Sequence, residues 1–397
     1  MIGQIKKRIL KLVPLVHVNN SSQTIYECLL GSIKMYQVTK QELWKERCDR
    51  LLSILIDIQC DDGGFDIGYD FNFGYKHNKG ESTSPEMISL IALCLYAKEF
   101  NYRNELRDNV TASVNWIKEH SREICSDMWA IPYGPHSTNN IVVYNGTSFV
   151  CSALGVYLGV YGKNDESLVE IYEGMINYLY HNMHSDEDLE DEKFWYYNVS
   201  KESDKIDYYH QMQQVEVHSI ANSFMPSDVQ EKIIKQASRF IHKKCQSSGS
   251  IINYTNDSSF SNRIHVWGLC SVASGLVHAS AYEDDLSISY KDEAVRIWQF
   301  IINKSWNGQY FSPILENNGD VYDSRFYVRS DSWVFNSLAS FYCISGKDPF
   351  LLRIINDSYR KMEECSFSGI ENHASSMQRR LVLKSIDICL KFLRKIK

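Results

Sequence analysis

The chain has 397 residues, 44% hydrophobic and 23% charged, with a formal net charge of −7. That is ample for a large core, and the acidic surplus argues against a general nucleic-acid binder, which carries a basic surface. No run approaches the ~18 consecutive apolar residues of a membrane span.

The N-terminal stretch MIGQIKKRILKLVPLVHV is basic but has no sustained apolar run and no small-residue cleavage site, so no signal peptide is expected. Segments 1–20 and 375–397 are both basic and amphipathic. Two readings stand: solvated terminal helices closing the fold, or contact with an anionic membrane surface or with envelope-polysaccharide assembly proteins. The eleven cysteines are scattered without CxxC spacing, and an odd count argues against a disulfide framework. Reduced, buried thiols are expected, in a cytoplasmic protein that is at most membrane-associated.

A helical repeat follows. Apolar helices open near Ile25, Glu86, Ser148, Tyr209, His265 and Asp331, at steps of 61, 62, 61, 56 and 66 residues by subtraction. Met87 to Tyr96 (MISLIALCLY) and Phe149 to Tyr161 are apolar nearly all round, as enclosed helices are. The helix after each is amphipathic. Leu168, Ile171, Tyr172, Met175, Ile176 and Leu179 form one stripe, and Val229, Ile233, Ala237, Phe240 and Ile241 another. Six enclosed and six surface helices joined by long loops predict an all-α (α/α)6 toroid, one domain over 1–397, with the decorated loops at one end.

The first loop carries Gly63 and Gly64 for a tight turn, then Tyr69, Phe71, Phe73, Tyr75, Lys76, His77 and Lys79 in a segment too long for a plain connection. Ser84 is a natural N-cap, Pro85 suits a first turn, and Glu86 lies where the helix dipole favours a carboxylate. The second loop offers Trp129, Tyr133, His136, Asn140, Tyr144 and Asn145. The third runs through Trp195 to Asp207, a candidate cap, and then Tyr209, His210, Gln213 and Glu216. Residues 209, 213 and 216 share one helix face. Such residues on an enclosed helix mean either that the face lines a wet cavity or that it joins a buried polar network. The fourth loop ends in Arg263, His265 and Trp267; the fifth carries Tyr322, Asp323, Arg325, Tyr327, Arg329, Asp331 and Trp333. Arginine forks bind carboxylates bidentately, though each also suits an ion pair with Asp323 or Asp331. No HExxH, GxSxG, P-loop, GxGxxG or zinc-ligand spacing occurs, so no metal or cofactor is expected.

Gln59, Asp62, Gly63, Gly64 and Phe65 resemble the Q-x-x-D-G-G-F turn of the terpenoid-cyclase/prenyltransferase toroid superfamily. Ile206, Asp207 and His210 are similar to the I-D-x-x-H inner-helix start of bacterial exopolysaccharide- and capsule-biosynthesis toroids. Arg329 to Ala339 matches their R-W-x-x-A-W segment only in part, departing at Ser330 and Asp331. The resemblance implies work on cell-surface polysaccharide, in an architecture shared with glucuronyl C5-epimerases, polysaccharide lyases and glycosidases.

Three functions remain open. An epimerase or lyase on a uronic-acid glycan needs an acid/base pair, here Tyr209, His210 or Tyr144, and a cation on the sugar carboxylate, here Arg263 or Arg329. A glycoside hydrolase needs two carboxylates facing each other ~5–5.5 or ~6.5–9.5 Å apart, drawn from Glu86, Asp207, Glu216 and Asp331. A non-catalytic glycan-binding protein needs only the aromatics. Proton abstraction on an acidic oligo- or polysaccharide is the expectation, with hydrolysis second. Arg325, His265, Trp333, Trp129, Trp195, Tyr69, His77, Lys79, Glu86 and Gln213 are expected to bind substrate.

Overall fold

The computed structural model describes residues 21–72, 76–134, 142–185, 191–197, 206–245, 249–250 and 263–367. The two terminal segments, Phe73, Tyr75, His136 and Asn140 lie outside them.

Twelve α-helices alternate between two layers among the described residues. The enclosed set is α1 (Ser22–Thr39), α3 (Ile88–Glu99), α5 (Tyr144–Tyr161), α7 (Tyr208–Asn222), α9 (Val266–Ala279) and α11 (Val328–Ile344). The surface set is α2 (Glu42–Asp57), α4 (Arg107–His120), α6 (Glu166–His181), α8 (Asp228–Lys244), α10 (Ser287–Ser305) and α12 (Pro349–Met362). Each enclosed helix packs on the next enclosed helix, and α11 packs back on α1, which closes the ring. The fold is an (α/α)6 toroid.

The two layers follow from composition. Residues of α5 are buried without interruption from Tyr144 to Val156, whereas α6 buries one face, Leu168, Ile171, Tyr172, Gly174, Met175, Ile176, Tyr178 and Leu179, and turns Glu166, Glu170, Glu173 and Asn177 to solvent. One continuous apolar cluster runs from Ile25 through Trp44, Trp116, Trp195 and Trp298 to Tyr359. Ring closure depends on a small residue. A Cβ on Gly31 of α1 would stand 2.5 Å from the Phe335 ring of α11, closer than packed atoms tolerate. Gly275 of α9 is held to the same standard by the carbonyl oxygen of Met212, 2.5 Å from where its Cβ would lie.

The loops entering the enclosed helices carry short antiparallel pairs: β1 (Phe71–Asn72) with β2 (Lys76–His77), β3 (Arg122–Cys125) with β4 (Met128–Ala130), and β5 (His184–Ser185) with β6 (Lys193–Phe194). The last two loops share one sheet, in which β8 (Ile314–Glu316) lies between β7 (Arg263–His265) and β9 (Val321–Asp323). All these pairs therefore stand at the end of the ring where the enclosed helices begin.

Four enclosed helices start earlier than their apolar character suggests: Ser22 against Ile25, Tyr144 against Ser148, Tyr208 against Tyr209 and Val328 against Asp331. Their first turns are polar or aromatic because they face a cavity, so an apolar window misses them. Ser84 is no helix cap. It begins a 3₁₀ turn, Ser84–Met87, and its hydroxyl donates to the Tyr133 carbonyl at 3.3 Å. Among the described residues no helix is long and apolar enough to cross a membrane. The described cysteines are free thiols, but Cys125 and Cys343 are exposed rather than buried.

Candidate active site

The Q-x-x-D-G-G-F turn is a fastening. The Gln59 side-chain amide donates to Gly63 O at 2.9 Å, Asn109 O at 3.0 Å and Ser113 Oγ at 3.0 Å. Asp62 accepts from the Gly64 amide at 2.9 Å and from the Trp116 indole at 3.1 Å. The loop that follows is thereby locked on α4, and its Tyr69 is delivered over the ring axis.

There a cavity of about 260 Å³ is lined by the first turns of the enclosed helices. The spacing repeats from helix to helix. Residues 209 and 213, 329 and 333, and 145 and 149 face it as i and i+4 pairs, and Gln23 and Trp267 supply the corresponding first-turn positions in α1 and α9.

Its polar wall is built from His210, Arg329, Glu86 and a set of phenols. Asp207 occupies the N-cap position of α7 but makes no side-chain cap bond; its Oδ2 lies 3.0 Å from Nδ1 of His210. Tyr209 and Tyr197 flank the imidazole, at ring centroid distances of 4.0 and 5.6 Å. Arg329 donates from Nη1 to the Tyr69 hydroxyl at 2.8 Å. Burial works against its charge, but Tyr69, Tyr327, Glu86 and Tyr209 outweigh that and raise its pKa, so it is a fixed cation. Glu86 is buried and accepts from Ser22 Oγ at 2.7 Å. Burial raises its pKa, against the opposing pull of Arg329 and Ser22. Burial likewise holds Tyr69 and Tyr133 in the phenol form, the neighbouring Arg329 pulling the other way.

The apolar wall is Tyr209, Trp333 and Trp267, an aromatic cluster separate from the main core. Tyr209 and Trp333 meet edge-on at 6.0 Å. Rings standing apart from the core and facing a cavity offer a platform for the C–H face of a ligand.

Of the residues singled out from sequence, Tyr69, Glu86, Tyr133, Asn145, Tyr209, His210, Gln213, Trp267, Tyr327, Arg329 and Trp333 meet in this cavity. Glu216 lies one turn below it, lining a smaller chamber. The others stand elsewhere. Tyr144 packs near Tyr178, with its hydroxyl 3.4 Å from Asn182 Oδ1. Trp195 is fully buried; its indole donates to Leu179 O at 2.8 Å, and Gln211 brackets its backbone. Trp129 packs on Gly174 of α6. His77 is buried, with Nε2 3.2 Å from Asp66 Oδ1, and Lys79 is exposed. Arg263 lies over the Tyr322 ring at 3.7 Å, and Arg325 pairs with Asp323 through Nε at 2.9 and 3.0 Å. His265 is buried beside Trp267 at 4.4 Å. Asp331 is fully buried and accepts from the Phe311 amide at 3.0 Å, and burial raises its pKa well above the ordinary aspartate value. These side chains answer to loop packing that a one-dimensional pattern does not contain.

Gln23, Tyr26 and Tyr197 line the cavity without having been singled out. Gln23 had a signal: it is the second residue of α1, the position that in α7 and α11 carries Tyr209 and Arg329, and Tyr26 follows it three residues on.

No family model matches the chain, and no curated protein sequence matches it. Solved structures do. Cellobiose 2-epimerase from Bacillus thermoamylovorans superposes with a TM-score of 0.60 at 13% identity, covering 81% of this chain and 88% of that one. A D-mannose isomerase gives 0.62 at 10% identity, covering 83% and 88%. A family 76 glycoside hydrolase (mannosidase) from Bacteroides thetaiotaomicron gives 0.56 at 11% identity, covering 82% and 88%. At such identities the likeness establishes the toroid alone.

Proposed function

We propose that this protein is a carbohydrate-active enzyme that moves a proton at the carbon beside a sugar carboxylate or carbonyl, as an epimerase or lyase on an acidic, uronic-acid-containing glycan. The observation that carries the reading is the placement of His210, backed by Asp207 at 3.0 Å, in one cavity with the fixed cation Arg329. Asp207 approaches Nδ1 outside hydrogen-bond geometry, and Nε2 is the candidate base. Arg329 and the first-turn amides of α5, α7, α9 and α11, which lack side-chain caps, favour the negative charge that develops on the substrate oxygen. Tyr209, beside the imidazole, is the group to return a proton or protonate the leaving oxygen. Trp333 and Trp267 seat the sugar ring.

A two-carboxylate hydrolase fits less well. Among the described lining residues Glu86 is the single carboxylate; Asp331 is sealed in the protein and Glu216 lies below the floor. The similar structures include epimerase, isomerase and hydrolase, so a saccharide substrate is common to them while the reaction is not. The cell-surface polysaccharide setting rests on the sequence resemblance of Asp207 and His210, and any membrane or assembly contact would belong to the terminal segments.

The test is incubation of the protein with acidic and neutral polysaccharides and their oligosaccharides in heavy water, followed by proton NMR. Deuterium at the carbon beside the carboxylate, or an unsaturated sugar end, supports the reading. New reducing ends without either would replace it with hydrolysis. Line broadening of a glycan without turnover would replace it with binding.

A further inference from the structure

Beneath the floor formed by Gln213 and Trp333 lies a second, smaller chamber of about 30 Å³. Its lining continues the repeat one turn deeper: Glu27 of α1, Glu216 of α7, Ser271 and Ser274 of α9, and Asn336 of α11. Ionisable groups on the axis of a helical ring are costly unless they are paired, and these go beyond what ring packing requires. Glu27 is 5% exposed and accepts from Asn336 Nδ2 at 2.6 Å. Glu216 Oε1 lies 3.5 Å from Lys34 Nζ and 3.6 Å from His278 Nε2, and Lys34 Nζ donates to Ser340 Oγ at 2.9 Å. The side chains of Lys34, Glu216 and His278 are 20%, 13% and 25% exposed, so the column reaches water at the end of the ring opposite the active site.

We propose that this axial column, Glu27 to Glu216 and on to His278 and Lys34, is a proton-exchange path between the floor of the active site and solvent at the far end of the ring. The inference rests on the proton-transfer reading above. A sugar seated on Trp333 and Trp267 covers the near mouth, so the acid/base groups need another route to restore their protonation between turnovers. The chamber has room for about two waters, each occupying ~10–15 Å³ on this measure. The Glu27 carboxyl gives its proton to a water at the Gln213 floor, and that water's own proton goes to a Tyr209 phenolate left by the forward reaction; Glu27 is reloaded through a chamber water from the Glu216 carboxyl, and Glu216 from His278 or bulk water. The reverse sequence carries away the proton taken by His210, and no charge is left over. Burial, with repulsion from Glu216, pushes the Glu27 carboxyl up to about 8 against the pull of Asn336 and Lys34, so it holds a proton to give at neutral pH. Cys28 on its own helix and Cys270 on α9 sense its charge, their thiols held protonated by burial, while α3 presents only Ile88 and Ile91 to the chamber.

The test compares wild type with Glu27→Gln, Glu216→Gln and His278→Asn for kcat, KM and deuterium uptake, on whichever acidic oligosaccharide of the heavy-water panel the wild type turns over. A relay predicts at least ~10-fold loss of kcat with KM held. It also predicts recovery of kcat as a small buffer such as imidazole is raised, because a diffusing acid replaces the missing link. Glu216→Gln and His278→Asn, at the solvent end, keep the test open should Glu27→Gln fail to fold. Wild-type rates in folded variants, or losses that buffer does not rescue, would overturn the relay and leave the active-site reading standing. Absence of both deuterium uptake and unsaturated sugar ends with the wild type across the panel would overturn both.

Discussion

Arg329 and Tyr69 are 260 residues apart in sequence and joined by a 2.8 Å hydrogen bond across the cavity. The bond ties the loop fastened by Gln59 to the first turn of the last enclosed helix. It also points a guanidinium that cannot deprotonate at the space a substrate would fill.

Arg329→Lys should therefore cost about 10²–10³-fold in kcat/KM, the scale of losing one donor to a developing oxyanion. A lysine keeps the charge but not the fork that reaches Tyr69 and substrate together. Steady-state kinetics on the active glycan check this; a variant within threefold of wild type would remove Arg329 from the mechanism.

His210→Asn should abolish deuterium uptake, and Asp207→Asn should reduce it by ~10²-fold or more, the lower range of general acid–base contributions. Both should melt within a few degrees of the wild type, because His210 faces the cavity rather than the core. A melting shift that tracks the activity loss would make the pair a packing element.

Glu27 makes stability fall as pH rises. Its folded pKa, about 8, stands above the ordinary glutamate value of 4.5, so the folded state holds the proton more tightly than the unfolded chain. The stabilisation is complete below about pH 4.5 and is lost progressively as pH climbs to about 8. The loss is on the order of a few kcal/mol at ~1.4 kcal/mol per pKa unit. Glu27→Gln, neutral throughout, should flatten this slope. Urea unfolding at pH 5 and at pH 8.5 measures it, and parallel slopes in the two proteins would contradict the assignment.

Gly275→Val should destabilise the ring by about 1–3 kcal/mol, the cost of overpacking a close approach. The carbonyl of Met212 is backbone and cannot rotate away as a side chain can. Gly308→Ala meets no neighbour within 4 Å but bears the strain of a φ of +99°, so it should cost less. Thermal unfolding of the two variants separates crowding from backbone strain.

The ring was legible before the structure because its information is periodic. A helix buried all round and a helix with one stripe each announce their layer within a few turns, as Phe149 to Tyr161 and Leu168 to Leu179 do. Repetition at about sixty residues then leaves closure as the way to bury every enclosed helix. The same periodicity exposed the Tyr209, Gln213 and Glu216 face, since polar groups at i, i+4 and i+7 of an enclosed helix require either a wet cavity or a buried polar network, and these residues line the two chambers.

Loop residues carried no such register. Trp129, Trp195 and Arg325 share the composition of Trp333 and Arg329, yet they pack on Gly174, Leu179 and Asp323. What separates them is the direction in which a folded loop points a side chain, and that is set by distant partners such as Asn109 and Trp116. By itself the sequence determined the two layers, the repeat and the end of the ring that carries the loops, because each depends on local spacing. Tertiary structure alone decided which arginine and which aromatics reach the axis, and it placed Glu27 beneath them, because those positions depend on contacts between residues hundreds apart.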